Sequence, residues 1–107
     1  MESIFLSTYG DNPRNRVLDF LVTFREYDYS MRDIARNAKV SYTSLKSFWK
    51  EFAGRQIVVQ TRKVGKAKMY RLNLASPEVK KFVEFYNAVL EMETRKLLKK
   101  RVIEVVA

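Results

Sequence analysis

Apolar side chains in the first half of the chain recur every three or four residues, the spacing that places them on one face of a helix. The last of these stripes consists of Leu45, Phe48, Trp49 and Phe52. A residue able to cap free backbone N–H groups precedes each stripe, namely Asn12, Ser30 and Ser41. The pattern therefore predicts helices at about residues 13–27, 31–38 and 42–54, and Trp49, Phe48 and Phe52 are interpreted as core.

The hydrophobic period changes from about four residues to two after Gly54. Residues 57–62 and 69–74 are rich in β-branched, aromatic and alternating side chains, and the segment 63–68 between them contains Gly65. This pattern predicts an antiparallel β-hairpin with a basic tip. Gly65 is interpreted as a turn residue.

A further helix is predicted to start after Ser76, because Pro77 fits a first helical position and Glu78 favours the helix dipole. Its apolar stripe consists of Val79, Phe82, Val83, Tyr86, Val89 and Leu90. Beyond Glu91 the pattern weakens, and residues 93–107 either extend the helix, pair as a strand or stay loose. Residues 1–10 form either a helical turn on the core or a frayed lead-in.

These elements predict a mostly α fold with a small antiparallel β-hairpin (α+β). Only Lys39 and Val40 separate the second and third helices, so the two helices must meet at a steep angle. We expect one domain over residues 1–92, with a helix-turn-helix at about 30–54 and a hairpin at about 57–74. Residues 77–107 would form a C-terminal helix and tail.

The order of elements and the residues of this segment resemble the winged helix-turn-helix family. With Met31 as the first position of the family pattern, its apolar positions are occupied by Ile34, Ala38, Val40, Leu45 and Phe48, and Ala35 is the small residue at the helix contact. Lys39 departs from the pattern, because this turn position often holds Gly and favours left-handed backbone. The resemblance covers about residues 11–90, is greatest to small archaeal regulators, and implies a three-helix core with a wing.

Positive charge is concentrated between Arg36 and Arg71, where ten basic residues face one acid, Glu51. The rest of the chain balances at 11 basic and 11 acidic residues. A field of one sign attracts a polyanion such as nucleic acid, although a solvated, solubilising face is the alternative interpretation. The carboxylates of Asp28 and Asp33 are interpreted as capping or solvated groups.

The composition argues against catalysis. The absence of Cys and His removes disulfides, the usual metal ligands and imidazole chemistry, so neither a metal nor a cofactor is expected. No apolar run is long enough for a membrane span, and Met1–Ser3 does not resemble a signal peptide. We expect a cytoplasmic protein that is not an enzyme and has no membrane partner.

The family resemblance implies that the third helix enters the major groove of double-stranded DNA and that the wing contacts the backbone. Opposite the apolar stripe, the helical wheel of 42–54 presents Thr43, Lys46, Ser47 and Lys50, flanked by Tyr42 and Ser44. On the wing we expect backbone contacts from Arg62, Lys63, Lys66 and Lys68, with secondary phosphate contacts from Arg36 and Lys39. Tyr42 could equally pack against the preceding turn.

The stripe of the last helix is larger than a three-helix core requires, and the resemblance implies dimerisation through this helix. Val79, Phe82, Val83, Tyr86, Val89 and Leu90 would form the seam of a homodimer, unless they pack on the first helix of their own chain. The sequence thus predicts a sequence-specific DNA-binding transcriptional regulator. The alternatives are a winged-helix protein-interaction module and a general nucleic-acid-binding protein.

Overall fold

The computed structural model describes residues 3–106, with side chains described from Ser3 to Arg101. In this part of the chain the elements are α1 (Ile4–Tyr9), α2 (Pro13–Thr23), α3 (Met31–Ala38), α4 (Tyr42–Gly54), β1 (Val58–Val64), β2 (Ala67–Leu72) and α5 (Pro77–Val106). The predicted fold class is confirmed, since the chain is mostly helical with one antiparallel hairpin. Met1, Glu2 and Ala107, which belong to the two predicted domain ranges, lie outside the described residues.

Local capping sets the starts of the central helices where the sequence predicts them. The side-chain oxygens of Asn12, Ser30 and Ser41 each accept a hydrogen bond from the backbone N–H three residues further on, at 2.9, 3.1 and 3.0 Å. Each bond satisfies one of the N–H groups that a helix start leaves without a partner, a contribution of about 1 kcal/mol. The helix starts therefore follow from single residues.

The end of α2 differs from the prediction, because the helix stops at Thr23 and not near Tyr27. The chain turns there to bring Tyr29 beside Tyr70 of β2. The two residues exchange backbone hydrogen bonds, Tyr29 N–H to Tyr70 O at 2.8 Å and Tyr70 N–H to Tyr29 O at 2.7 Å. This pairing needs extended backbone before α3, so the helix ends early and leaves Phe24 half exposed.

The hairpin has a longer first strand, a second strand displaced towards the turn and a shorter turn than the sequence predicts. Val64 pairs with Ala67, so the turn consists of Gly65 and Lys66, and Gly65 has a φ of +61°. Glycine adopts this conformation without steric cost, which lets the turn be this tight. Lys63 and Lys68, predicted for the loop, are instead cross-strand partners.

The core lies where α2, α3 and α4 meet the base of the hairpin. Its fully buried side chains include Leu21, Ile34, Leu45, Phe52 and Leu72, one or two from each of these elements. Phe48 and Trp49 are also buried, as the sequence interpretation of α4 requires. Burial of side chains this large contributes about 1.5–3 kcal/mol each, so the core fixes how α4 and the hairpin lie relative to one another.

Residues 4–9 form a helix, and its Phe5 packs between α2 and α5. The Phe5 ring lies 5.3 Å from that of Tyr86 and 5.8 Å from that of Phe82. The hydroxyl of Tyr86 donates to Asp19 of α2 at 2.6 Å, and burial is the main reason why the pKa of Tyr86 rises to about 12. The first half of α5 is thus held by its own chain.

This packing bears on the expected dimer seam, which stays a prediction. Val79, Tyr86 and Val89 are buried within the chain, while Phe82, Val83 and Leu90 are partly buried against the same core. Phe82 and Tyr86 thus contact α1, and Tyr86 also contacts α2, as in the alternative interpretation in which the stripe packs on its own chain. Beyond the stripe, α5 continues as one helix to Val106, and none of the described helices carries an apolar stretch long enough to cross a membrane.

Candidate nucleic-acid interface

The turn between α3 and α4 has the left-handed backbone that the family pattern indicates. Lys39 has φ 58° and ψ 45°, and the next N–H, that of Val40, donates to Ala35 O at 3.0 Å. The Arg16 guanidinium donates to Lys39 O at 2.8 Å. These bonds satisfy carbonyls at the end of α3 and hold the angle between the two helices, while the Lys39 side chain stays exposed.

The side of α4 opposite the core carries the hydroxyls and ammonium groups expected there. Thr43, Lys46, Ser47 and Lys50 are exposed, and Tyr42 and Ser44 are partly buried. Ser47 Oγ donates to Ser44 O at 2.6 Å, and Ser44 Oγ accepts from Ser41 Oγ at 2.9 Å. The Ser47 hydroxyl thus uses its hydrogen in a bond within the helix, and its oxygen faces solvent as an acceptor.

Acidic side chains pair with three of the four arginines of the basic segment, Arg36, Arg55 and Arg62, and leave its lysines without ion pairs. Arg36 pairs with Asp33, and Glu51 binds Arg14 at 2.8 Å and Arg55 at 3.8 Å. The hydrogen bond from Arg14 lowers the pKa of Glu51. Across the described residues, no acid lies within ion-pair distance of Lys39, Lys46, Lys50, Lys63, Lys66 or Lys68.

Arg62 differs from the other basic residues predicted on the wing. Its guanidinium donates to both carboxylate oxygens of Asp28, at 2.9 and 3.1 Å, and the Thr61 hydroxyl donates to the same group. These hydrogen bonds, that from Arg62 foremost, lower the pKa of Asp28 to about 2. Asp28 is therefore an ion-pair partner of the wing, which corrects its interpretation as a capping or solvated group, and Arg62 is engaged within the chain.

The wing lysines lie on the side of the hairpin that faces α4. Residues two apart on a strand share a face, so Lys68 is on the face of Tyr70, whose ring contacts Trp49 of α4 with centroids 5.1 Å apart. Lys63 is the direct cross-strand partner of Lys68. Like charges placed opposite each other destabilise a hairpin, so this pair lowers the stability of the isolated chain.

One basic residue at this surface is missing from the sequence prediction. The Arg32 guanidinium lies 4.6 Å from the centroid of the Tyr42 ring. Extending the basic segment back to Arg32 also includes Asp33, so the net charge does not change and the charge count gave no signal. A helical wheel of α3 places Arg32 on its exposed side, the one sequence feature that could have identified it.

Comparison with known proteins establishes the fold. The sequence matches no protein-family model and no curated protein sequence. In structure, the chain is similar to MepR, a transcription regulator of the Staphylococcus aureus multidrug efflux pump MepA, with TM-score 0.65 and 13% identity over 89% of this chain and 68% of MepR.

Two further solved structures have the same arrangement of elements. The transcriptional regulator HlyU from Vibrio vulnificus CMCP6 matches with TM-score 0.55 and 19% identity, over 80% of this chain and 83% of HlyU. ZitR from Lactococcus lactis matches with TM-score 0.58 and 14% identity, over 94% of this chain and 86% of ZitR. These similarities confirm the winged helix-turn-helix fold.

Proposed function

We propose that the protein is a transcriptional regulator that binds specific sites on double-stranded DNA, with α4 in the major groove and the wing on the flanking backbone. The observation that carries the proposal is the set of lysines without ion pairs on α4, on the turn before it and on the inner face of the wing. A polyanion is the partner that this surface favours. The structural neighbours HlyU and MepR, both transcriptional regulators, support it.

Affinity and sequence preference come from different groups in this proposal. Lys46, Lys50 and the wing lysines neutralise phosphates, an interaction independent of sequence. Thr43 and Ser47 are short enough to lie against base edges. Because Ser47 Oγ donates its hydrogen to Ser44 O, it can only accept hydrogen bonds from a ligand. The hydrogen-bond donors in the major groove are the amino groups of adenine and cytosine.

A homodimer is part of the proposal, with exposed residues of α5 beyond the stripe as an additional contact surface. Met92, Leu97 and Leu98 lie on the second half of this helix and are more than half exposed. A two-fold dimer would place two α4 helices about 34 Å apart and favour an inverted-repeat site. Light scattering after size exclusion should report two copies per particle, and Leu97→Glu with Leu98→Glu should shift the particle to one copy. A wild-type monomer at all concentrations contradicts the dimer.

Selection of bound duplexes from a random pool tests the function directly, and an enriched inverted repeat is the expected result. Variants of the wing and of α4 then separate phosphate contacts from base contacts. Lys66→Gln should weaken binding equally on all sequences and reduce the salt slope by about 0.9, because one phosphate contact is lost. Ser47→Ala should change the preferred sequence. Lys80→Gln, which removes an exposed ammonium on α5, is the charge-matched control and should leave binding unchanged.

Two outcomes would contradict this assignment. If no duplex is retained at moderate ionic strength, the DNA-binding function is wrong and only the fold assignment remains. If wing variants lose discrimination between sequences without losing affinity, the division between phosphate and base contacts is wrong.

A further inference from the structure

A cleft of about 350 Å³ separates the starts of α3 and α4 from the wing turn. Arg32 and Tyr42 line one wall, and Lys66, Lys68 and Tyr70 line the other. Three cations and two phenol rings thus face one small volume, and in the described part of the chain no acidic side chain lines it. Such a composition favours an anionic ligand with oxygen acceptors.

The Tyr42 ring contacts two cations, of which Arg32 lines the cleft and Lys46 lies outside its lining. The Arg32 guanidinium lies 4.6 Å from the ring centroid and Lys46 Nζ lies 5.5 Å from it. Cation–π attraction accounts for each contact, but two positive charges beside one ring repel each other. Every ion pair among the described residues leaves these two cations out. An anion in the cleft would relieve that repulsion.

Arg62 and Arg32 differ in whether a carboxylate binds the guanidinium. Both are exposed arginines at the wing end of the molecule, yet Arg62 is saturated by the two oxygens of Asp28 at 2.9 and 3.1 Å. Arg32 instead lies beside an aromatic ring, with its guanidinium carbon 4.6 Å from the Tyr42 centroid, and pairs with no carboxylate among the described residues. The N–H edge of a guanidinium held this way is available for bidentate hydrogen bonds to a phosphate.

We propose that the cleft binds a single phosphate group, with Arg32 as its principal donor, Tyr42 as the residue that positions Arg32, and Lys66 and Lys68 as the opposing cations. This inference rests on the proposed function for the source of the phosphate. Because the cleft lies between α4 and the wing, a duplex that contacts both elements carries a backbone phosphodiester past it. Arg32 then belongs to the interface although it lies outside the basic segment of the sequence.

Salt dependence of duplex binding tests the proposal without knowledge of the target sequence. Fluorescence anisotropy with a mixed-sequence duplex of about two helical turns is recorded between about 50 and 200 mM salt. Arg32→Ala should lower the salt slope by about 0.9 and weaken binding about tenfold at the lower salt. Arg32→Lys should keep the slope, because its charge remains, and lose part of the affinity, because the planar fork is gone.

The control and the overturning result are equally specific. Lys80→Ala removes an exposed cation from the first half of α5, with the same change in net charge, and should leave slope and affinity unchanged. Equal slopes and affinities for wild type and Arg32→Ala overturn the proposal while leaving the DNA-binding function intact.

A second measurement keeps failure of the proposed function distinguishable from failure of this site. Inorganic phosphate is titrated into the protein, and NMR shifts of the Arg32 side-chain N–H and the Tyr42 ring are followed. Saturable shifts in wild type that are lost in Arg32→Ala support a phosphate site even if no duplex binds, and then identify free phosphate as the source. Absence of both duplex binding and phosphate shifts overturns the site.

Discussion

Lys39→Gly should stabilise the fold while removing a charge from the proposed interface. Lys39 has φ 58° and ψ 45°, a left-handed conformation that costs a residue with a Cβ about 1–2 kcal/mol. Glycine relieves this strain but loses about 0.5–1 kcal/mol more backbone entropy on folding. The side chain is exposed, so no packing is lost. We expect a net gain of about 0.5–1 kcal/mol, or about 2–4 °C in Tm for a chain of this length.

Urea unfolding followed by circular dichroism measures the change, with Lys39→Ala as the matched control. Alanine removes the ammonium but keeps the Cβ, so its stability should stay close to that of wild type. Gln56 has the same φ of 58°, and Gln56→Gly should show a gain of similar size. Both Lys39 variants should weaken duplex binding equally. If Lys39→Gly is no more stable than Lys39→Ala, backbone strain is not the property that distinguishes this turn.

Three further changes test the wing and the core. Asp28→Asn should remove a stabilisation that in wild type is present above about pH 4 and is lost as the pH falls towards about 2. The reason is that the pKa of Asp28 lies near 2 in the folded state and near 3.9 in the unfolded state. Unfolding of both proteins at a series of pH values checks this, and identical acid profiles contradict it. Lys63→Glu should stabilise the hairpin by about 0.5 kcal/mol, measured by urea unfolding, because the new carboxylate would pair with Lys68. The same change should weaken duplex binding, measured by anisotropy. A loss of stability contradicts the proposed repulsion between Lys63 and Lys68. Phe52→Ala, at a position only 1% exposed, should lower the free energy of unfolding by about 3–5 kcal/mol, measured by denaturation, and a loss below about 1 kcal/mol contradicts the assigned core.

Local chemistry explains why most helix starts could be predicted from the sequence. A cap such as Ser30 or Ser41 needs only the backbone three residues further on, so its signal lies within one short segment. The end of α2 could not be predicted this way. It depends on hydrogen bonds between Tyr29 and Tyr70, which are far apart in sequence and meet only in the folded chain.

Charge and apolar patterns were not sufficient where a partner came from another part of the chain. The charge count could not associate Asp28 with Arg62, since the acid precedes the basic segment and reaches the wing only in the folded chain. The apolar stripe of α5 left two interpretations open, a dimer seam and packing on its own chain, because α1, whose Phe5 lies against Tyr86, was too short a pattern to assign. The DNA-contact assignments themselves stay predictions.

The contact between Trp49 and Tyr70 gives this protein a built-in optical reporter. The chain has a single tryptophan, and it is buried on α4 with its ring 5.1 Å from a tyrosine of the wing. Its emission therefore reports on the surroundings of this contact between α4 and the wing, without a label or an added fluorophore. Any ligand that shifts the wing relative to α4 should change the tryptophan spectrum, so such movement can be followed in real time on the unmodified chain.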